Sequence, residues 1–507
     1  MSELLPGDAP PRLIQTPTSV APAVLDRVDH LMVILPSRPQ AAHWREVPEG
    51  QRLKAAARRA GPDAIVQGRL ANARATGISL VQLNKHAAQP YGLLQQAGSL
   101  LAQALKDQPK NLGLMLPGAD GSEAQRLADA VLLATHAQSF RMPRFAGKPD
   151  KHKPLKRLRL LGLPERLDLT ATDVAARAQN LARWLTALPS NKLDVAAYRG
   201  LIDTLAAEHG WKQEFFDEKR LKKLGAGAFL AVSQGNATRD AGILRIRYRP
   251  DADTKKGPVI ALVGKGILFD TGGNNLKPHK SMLDMHEDMA GSAVALATLV
   301  ALSELEYPQP VDCWLAITEN RIGARAYKPR DVITACNGTT IEIVHTDAEG
   351  RMVLADTLAL AGREQPRLIM DYATLTGACV YALTERYSGV FTNREALAQL
   401  MIDAGRDSGE RVWPFPMDAD FDEALKSKRA DVLQCSTEGA GDHILAARFL
   451  KRFVPADGAW IHADLSAASR SAGLAQVPGG ATGFGVRLSL EILHGRREAL
   501  EDCLETQ

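Results

Sequence analysis

Charged residues of types that bind metals are concentrated in two segments of the sequence. Four charged residues stand out in residues 261–291, namely two of its three lysines and two of its three aspartates, and residues 345–351 (HTDAEGR) hold two further carboxylates and an arginine. The residues singled out are Lys265, Asp270, Lys277, Asp288, Asp347, Glu349 and Arg351. Four carboxylates brought together repel one another strongly unless cations neutralise them. Such an oxygen-rich site, with some nitrogen, suits Zn, Mn, Mg or Co, and so many shared carboxylates favour two ions ~3.5–4 Å apart over one.

Both segments follow short apolar runs that predict buried strands. The run Val259–Val263 predicts a central strand, with Lys265 and Asp270 directly after it, and the run IEIV at 341–344 precedes the second segment. Sites in open α/β sheets form beyond the carboxyl ends of the strands, so we expect the two segments to meet there. Asp288 is expected at the start of the next helix, where the helix dipole favours a carboxylate. Taken singly, each residue could instead cap a helix or join a surface salt bridge, which is the better interpretation for Asp288 alone; the set as a whole favours a metal site.

The order of apolar runs predicts an α/β protein, and 507 residues are too many for one ordinary domain. We expect a flexible, proline-rich lead-in over residues 1–28 and an N-terminal α/β domain over residues 29–168. A connecting helix is predicted over 169–188, joined to a larger C-terminal α/β domain over 189–507 with a mixed, mainly parallel central sheet. The predicted strands of this second domain include Phe229–Ser233 as well as Val259–Val263.

Composition narrows the class of protein. The chain has 45% hydrophobic and 24% charged residues and a net charge of only +4, which gives no reason to expect nucleic acid or a membrane surface as its main partner. Its longest apolar stretch, residues 293–302, is far short of the ~20 residues that span a bilayer, and its first 20 residues lack the apolar region of a signal peptide. Five cysteines without a CxxC pair favour a reducing cytoplasm over a disulfide framework.

Seven segments resemble the signature motifs of the leucyl aminopeptidase family, the M17 metallopeptidases. They agree with that family in order and in spacing from about residue 189 to the C-terminus, whereas the resemblance is weak over the first ~165 residues. The segments are GKGILFDTGG at 264–273, LKP at 276–278, EDMAGSA at 287–293, TDAEGRMVLADTL at 346–358, ATLTGA at 373–378, ADVLQCSTEG at 430–439 and GATGFGVR at 480–487.

The resemblance implies a peptidase site with two divalent metal ions, Zn or Mn. It implies that Asp270 and Glu349 bridge the ions and that Lys265 and Asp288 complete the more loosely held site. Asp347 would serve the other ion through side-chain and main-chain oxygen. A lysine ligand must be a neutral amine, and two adjacent dications would lower its pKa enough for that.

The resemblance also assigns two catalytic cations. Lys277 would stay charged and stabilise the oxyanion of the tetrahedral intermediate, and Arg351 would hold a bicarbonate ion that acts as general base on the metal-bridging water. The departures from the family motifs, His345, Asn274 and Asn275, remove no expected ligand.

The substrate pocket follows from the same motifs. Met285, Thr374 and Gly377 match positions that line the first side-chain pocket of the family, and Leu375 matches a position whose backbone contacts substrate. Met285 could equally belong to ordinary core packing, but as a pocket residue it predicts an adaptable apolar surface.

The expected function is therefore a metal-dependent aminopeptidase that hydrolyses the N-terminal peptide bond of short peptides, with hydrophobic residues such as leucine preferred. Two alternatives stay open: a dipeptidase of narrow specificity, of the cysteinyl-glycine type, and a moonlighting DNA-binding or regulatory member of the family. The resemblance further implies a cytoplasmic homohexamer whose active sites face an interior cavity.

Overall fold

The computed structural model describes residues 4–16, 20, 22–61, 63–148, 153–250 and 259–505. The chain divides into two compact units. Of the described residues, 7–180 and 472–479 form one unit, and 4–6, 181–471 and 480–505 form the other. The boundary between residues 180 and 181 falls inside a helix, Thr170–Thr186, in the stretch where the sequence predicts a connecting helix.

The N-terminal unit contains a six-stranded sheet with the order β1-β6-β5-β2-β4-β3. Its strands are β1 Arg12–Thr16, β2 His30–Leu35, β3 Val66–Arg69, β4 Gly77–Gln82, β5 Asn111–Met115 and β6 Arg157–Leu161. Its helices are α1 Pro22–Leu25, α2 Ala41–Glu46, α3 Gly50–Ala60, α4 Pro90–Ala104, α5 Gly121–Ser139 and α6 Thr170–Thr186. All strand pairs are parallel except β3 with β4.

The flexible lead-in expected over residues 1–28 is wrong for Arg12–Thr16. This run forms β1, which pairs in parallel with β6 from Arg12 opposite Arg157 to Thr16 opposite Leu161. The Gln15 amide also donates a hydrogen bond to the carbonyl of Leu167 (2.8 Å). A five-residue edge strand gains its order from tertiary pairing, which proline content and local propensity do not reveal.

The C-terminal unit is built on an eight-stranded mixed sheet with the order β15-β14-β17-β13-β9-β10-β8-β7. The strands of this unit are β7 Lys212–Asp217, β8 Gly242–Tyr248, β9 Ile260–Asp270, β10 Val311–Asn320, β11 Val332–Thr334, β12 Thr340–Glu342, β13 Leu368–Ala373, β14 Ser388–Thr392, β15 Val412–Pro414, β16 Val432–Leu433, β17 Ala459–Asp464, β18 Ser469–Arg470 and β19 Gly480–Ala481. Its central strands β17, β13, β9 and β10 are parallel, so the predicted fold class is confirmed.

Helices flank this sheet. They are α7 Val195–His209, α8 Glu218–Lys223, α9 Gly227–Ser233, α10 His279–Met282, α11 Ala290–Glu304, α12 Glu349–Gly362, α13 Gly377–Leu383, α14 Glu395–Ser408, α15 Asp442–Lys451, α16 Val486–Leu490 and α17 Arg497–Glu505. Both α11 and α12 pack on β9 and β10, and α11 is buried on every side from Ala290 to Leu302. An apolar helix of this kind belongs in a core and fixes the loop that precedes it.

Two predictions about strands in this unit need correction. Residues Phe229–Ser233, predicted as a strand, lie in helix α9, because a short apolar run cannot be assigned to helix or strand by periodicity. The central strand is also longer than expected: β9 runs on to Asp270, so Lys265 and Asp270 lie on it and not after it. Pairing with β10 holds this extension, since Asn320 lies opposite Asp270.

Candidate active site

The extension of β9 gives the site its first two side chains. Pairing of β9 with β13 stops at Gly264, whereas pairing with β10 continues to Asp270. Pairing along the β13 edge of β9 therefore ends just before Lys265. The Lys265 ammonium donates to the carbonyl of Thr374 at 2.8 Å, just past the end of β13. Lys265 and Asp270 are both 2% exposed, so their charges are solvated by the protein and not by water.

A tight turn after β9 brings the next lysine back to the strand end. Gly272 and Gly273 have φ values of +84° and +65°, which glycine adopts without strain. A Cβ on Gly272 would lie 2.9 Å from Oδ1 of Asp347, so the backbone approaches that carboxylate closely. The backbone N–H of Lys277 donates to the carbonyl of Thr271 (2.9 Å), which closes the turn.

The second segment meets this turn as the sequence predicts. Glu349 is the first residue of α12 and is buried, and Asp347 lies two residues earlier. The Thr346 hydroxyl donates to the carbonyl of Gly272 at 2.6 Å and so fastens the two segments to each other. Carboxylate oxygens of Asp270, Asp347 and Glu349 all lie within 4.8 Å of one another.

Two lysines separate the four carboxylates. The Lys265 Nζ atom lies 2.7 Å from Oδ1 of Asp288 and 3.0 Å from Oε1 of Glu349. The Lys277 Nζ atom lies 2.9 Å from Oδ2 of Asp270 and 2.6 Å from Oδ1 of Asp347. Four carboxylates thus face two ammonium groups, which leaves negative charge in excess.

Burial makes this excess of negative charge unfavourable, and the pKa values of three carboxyl groups of the site are raised as a result. Burial raises the pKa of Asp288 to about 8 against the opposing effect of Lys265, and raises the pKa of Asp347 to about 7 with help from Glu349. Burial and the neighbouring Asp270 also raise the pKa of Glu349. For Lys265, burial lowers the pKa, but the attraction of the surrounding carboxylates outweighs it and raises the value overall. The carboxylates of the site therefore repel one another, and additional cations would reduce this repulsion.

The donor set fits divalent metal ions. The buried atoms Oδ2 of Asp288 and Oε2 of Glu349 have no hydrogen-bond partner among the described residues. A buried carboxylate oxygen without a partner is costly unless a cation or water completes it. Oxygen atoms from four carboxylates with one amine nitrogen form a set that suits Zn or Mn.

Arg351 does not have the surroundings expected for a bicarbonate-holding residue. It is buried on α12, and its Nη2 atom lies 2.7 Å from Oδ2 of Asp442, the first residue of α15. Its Nη1 atom also donates to the carbonyl of Gln434 (3.3 Å). The guanidinium therefore already has an anionic partner within the chain, whereas its Nε atom has no partner among the described residues.

The metal-ligand candidates open onto a cavity of about 380 Å³. All four predicted pocket residues line it: Met285, Thr374, Leu375 and Gly377. Thr374 has a second role, because its hydroxyl donates to Oδ1 of Asp288 at 2.8 Å. Gly377 leaves room, since a Cβ there would meet nothing within 4 Å. The lining also includes four acidic residues without a role predicted from sequence: Asp284, Glu287, Glu385 and Asp464.

Several supporting residues were missed from sequence. Asn320 donates to Oδ1 of Asp270 (2.8 Å), and its position opposite Asp270 on β10 could have been found only by aligning the strands. Asn275, noted as a departure, exchanges hydrogen bonds with Thr346. His345 is exposed, and its Nδ1 atom accepts the backbone N–H of Asp347 at 3.2 Å.

A buried aspartate fixes the cavity wall. Asp464, at the end of β17, accepts the backbone N–H groups of Leu375 and Thr376 and the Thr376 hydroxyl at 2.6 Å. The N–H of Leu375 is thereby occupied, which leaves its carbonyl as the backbone group that a substrate could contact. Asp464 lies at a strand end in the same sheet, but no local sequence pattern distinguishes it from a surface carboxylate.

The comparisons with known proteins all point to the same family. A sequence model of the cytosol aminopeptidase family, catalytic domain, matches residues 180–490. A probable cytosol aminopeptidase of Chlorobaculum tepidum is 38% identical over 401 residues, which are 78% of this chain and 77% of the relative. A second probable cytosol aminopeptidase, from a Synechococcus species, is 38% identical over 428 residues, 82% of this chain and 84% of the relative.

Two solved structures resemble the whole fold. A mutant of the tomato leucine aminopeptidase superposes with a TM-score of 0.84 at 28% identity, covering 96% of this chain and 98% of that one. The bottromycin maturation enzyme BotP in complex with Mn superposes with a TM-score of 0.80 at 32% identity, covering 92% of this chain and 99% of that one.

Proposed function

The chain belongs to the cytosol aminopeptidase family and is an M17 aminopeptidase, a hydrolase, and from this premise we propose that it removes hydrophobic N-terminal residues such as leucine from short peptides with two bound divalent metal ions. The observation that supports this best is the convergence of four carboxylates and two lysines at one end of a single cavity. All of these residues lie within the part of the chain that matches the family.

The proposed metal ligands are Lys265, Asp270, Asp288, Asp347 and Glu349. Asp270, Asp347 and Glu349 can approach one cation together, since their oxygen atoms lie within 4.8 Å of one another. Lys265 and Asp288 would complete a second position with the shared carboxylates Asp270 and Glu349. Lys265 must lose its proton to act as a ligand, so metal binding and proton release are coupled at this residue.

When bound, the ions would supply Lewis-acid activation of a water and of the peptide carbonyl. We assign Zn or Mn, in agreement with the Mn reported for BotP. Burial lowers the pKa of Lys277, but the neighbouring carboxylates raise it overall in the metal-free protein, and we propose that the ammonium also stays charged when the ions are bound. Its ammonium donates hydrogen bonds to the scissile carbonyl oxygen, and these strengthen as negative charge develops there in the transition state.

The cavity supports a preference for apolar side chains. Met285, Leu375, Val380, Leu465 and Ala468 contribute apolar surface to its lining. Methionine adapts its shape, so one pocket can accept leucine, methionine or phenylalanine. The acidic side chains in the same lining favour the positive charge of a free N-terminus, which is the group that distinguishes an aminopeptidase substrate from the interior of a protein.

We further propose a cytoplasmic homohexamer. The relatives are named cytosol aminopeptidases, and all five cysteines of this chain carry free thiols. Within the described part of the chain, no helix has the length and apolar character needed to cross a membrane. The C-terminal unit exposes large apolar side chains that subunit contacts would bury: Leu276, Leu283, Ile322, Tyr381 and Trp413. Light scattering of the purified protein tests this assembly.

A peptide panel tests the function. The protein, stripped of metal and reconstituted in turn with Zn, Mn and Co, is offered peptides that differ in their first residue, together with N-acetylated versions. Release of the first residue from free peptides alone, with leucine among the best, is the expected result. Cleavage of cysteinyl-glycine alone would favour the dipeptidase alternative, and no hydrolysis with any metal would overturn the proposal.

A further inference from the structure

We propose that Asp442 permanently fills the anion position beside Arg351, so that this enzyme works without bicarbonate. The inference rests on the proposed aminopeptidase function, for which the family resemblance predicts a bicarbonate at this arginine. The structure instead places a carboxylate of the chain there, with 2.7 Å between Nη2 of Arg351 and Oδ2 of Asp442.

The surroundings of Arg351 leave little for a second anion to bind. The residue is 1% exposed, so an incoming ion could not meet the guanidinium from solvent without moving other groups. Its two terminal nitrogens already have partners in Asp442 and the carbonyl of Gln434. Each contact uses one N–H group, and Nε has no partner among the described residues, but an anion bound there would lie close to the Asp442 carboxylate, which would repel it.

Charge balance favours the same conclusion. A buried guanidinium is expensive without an anion, and Asp442 neutralises it. Exchange of one anion for another at Arg351 would first have to break this buried internal pair.

The position of Asp442 is built into the fold. It begins α15, which packs against α12, and the preceding Gly441 has a φ of +64° that directs the chain into this helix. The pair also borders the catalytic segment: His345, which accepts the N–H of Asp347, lies close enough for the charges of Arg351 and Asp442 to act on it. Removal of Asp442 should therefore create a bicarbonate site at the place where the family resemblance predicts one.

The first test measures activity with and without bicarbonate. Leucine amide hydrolysis is followed in carbon dioxide-free buffer and again with added bicarbonate or formate, for the unsubstituted enzyme, Asp442→Ala and Asp442→Asn. We expect the unsubstituted enzyme to change less than about twofold. We expect turnover of Asp442→Ala to fall about 10-fold to 100-fold, the range for a lost charged hydrogen bond, and to recover with either anion. Strong stimulation of the unsubstituted enzyme by bicarbonate would overturn the inference.

A matched control separates this effect from general loss of an ion pair. Asp422 pairs with Arg448 through two hydrogen bonds of 2.8 and 2.7 Å in the same unit, away from the residues that line the cavity. Asp422→Ala should lose stability without any response to bicarbonate. An equal response in both alanine variants would show a nonspecific salt effect and would also overturn the inference.

The second test does not depend on catalysis. The ¹³C line width of labelled bicarbonate is measured with full-length, zinc-loaded protein. We expect saturable broadening with Asp442→Ala, none beyond a nonspecific background with the unsubstituted protein, and none with the double variant that also carries Arg351→Ala. Saturable binding by the unsubstituted protein that Arg351→Ala removes would exclude the proposal, even if hydrolysis were never observed. If Asp442→Ala does not fold, Asp442→Ser, which also vacates the position of the carboxylate, takes its place.

Discussion

The ammonium nitrogen of Lys277 lies 2.6 Å from Oδ1 of Asp347, a residue proposed as a metal ligand. It also lies 2.9 Å from Oδ2 of Asp270, a second one. Lys277 thus contacts two proposed ligands and lines the cavity without belonging to the proposed ligand set. Its contact pattern differs from that of Lys265, which is almost fully buried and also donates to a backbone carbonyl. The two lysines should therefore respond differently to substitution.

Lys277→Ala should lower kcat about 10²-fold to 10³-fold while the protein keeps its metal, because the substitution removes a charged donor aimed at the developing oxyanion. Lys265→Ala should instead lower the metal content. Kinetics and elemental analysis of both variants separate the two roles. Lys280→Ala, at an exposed lysine three residues away, is the neutral control. Loss of metal from Lys277→Ala in proportion to its lost activity would make Lys277 a ligand.

Glu349→Ala and Asp270→Ala should each abolish hydrolysis and metal binding with the fold intact, since each removes a carboxylate shared by several partners of the site. Asp356→Asn on the same helix is the matched control. Asp356 is fully buried but accepts the backbone N–H groups of Phe229 and Cys336, at 2.8 and 2.7 Å. The Asp356→Asn substitution should lower the free energy of unfolding by about 1–3 kcal/mol and leave the metal content unchanged. Full activity in either alanine variant would exclude the two-metal assignment.

The local part of the site could be predicted from sequence because its chemistry is carried by contiguous motifs. Lys265, Asp270 and Lys277 come from one strand and the turn after it, and Glu349 opens a helix. The predicted meeting of the two segments also follows, since strands of a parallel sheet end on a common edge. Even the glycines that permit the turn are visible in TGG at 271–273.

The supporting contacts could not be predicted in the same way. Asn320 reaches Asp270 across two strands that are 50 residues apart in the chain, and Asp442 reaches Arg351 across two helices. Such pairs depend on strand register and helix packing, which a single sequence does not encode in any short pattern. The strand β1 within the expected lead-in was missed for the same reason: its partner is β6, more than 140 residues away.

The stability of the metal-free protein should depend on pH because the pKa of a buried carboxyl group in the site is raised. The pKa of Asp288 is about 8 in the folded protein, against an ordinary value near 4. The folded state therefore holds a proton that the unfolded chain releases. The resulting stabilisation is complete below about pH 4 and is lost as the pH rises through about 8. The metal-free protein should lose this increment between about pH 4 and about pH 8, the window set by the two pKa values.

Calorimetry of the metal-free protein and of Asp288→Asn over this range isolates the effect, because other titrating groups contribute to both. The thermal midpoint of the unsubstituted protein should fall relative to that of the variant as the pH rises. When zinc is bound, the thermal midpoint of the unsubstituted protein should no longer fall relative to that of Asp288→Asn as the pH rises, since a bound cation favours the ionised carboxylate. Parallel pH profiles without metal would contradict the assigned pKa shift.

Met285 tests whether the cavity selects apolar side chains. It is half-buried and lines the cavity close to Asp288, and both pocket and core roles were open from sequence. Met285→Ala should lower kcat/KM for leucine and phenylalanine substrates about 10-fold, as expected when apolar contact worth about 1–3 kcal/mol is lost, and should change alanine substrates little. Met282→Ala, at a half-buried methionine that does not line the cavity, is the control. An equal loss for all three substrates would assign Met285 to packing, because a residue that only supports the fold cannot distinguish one side chain of the substrate from another.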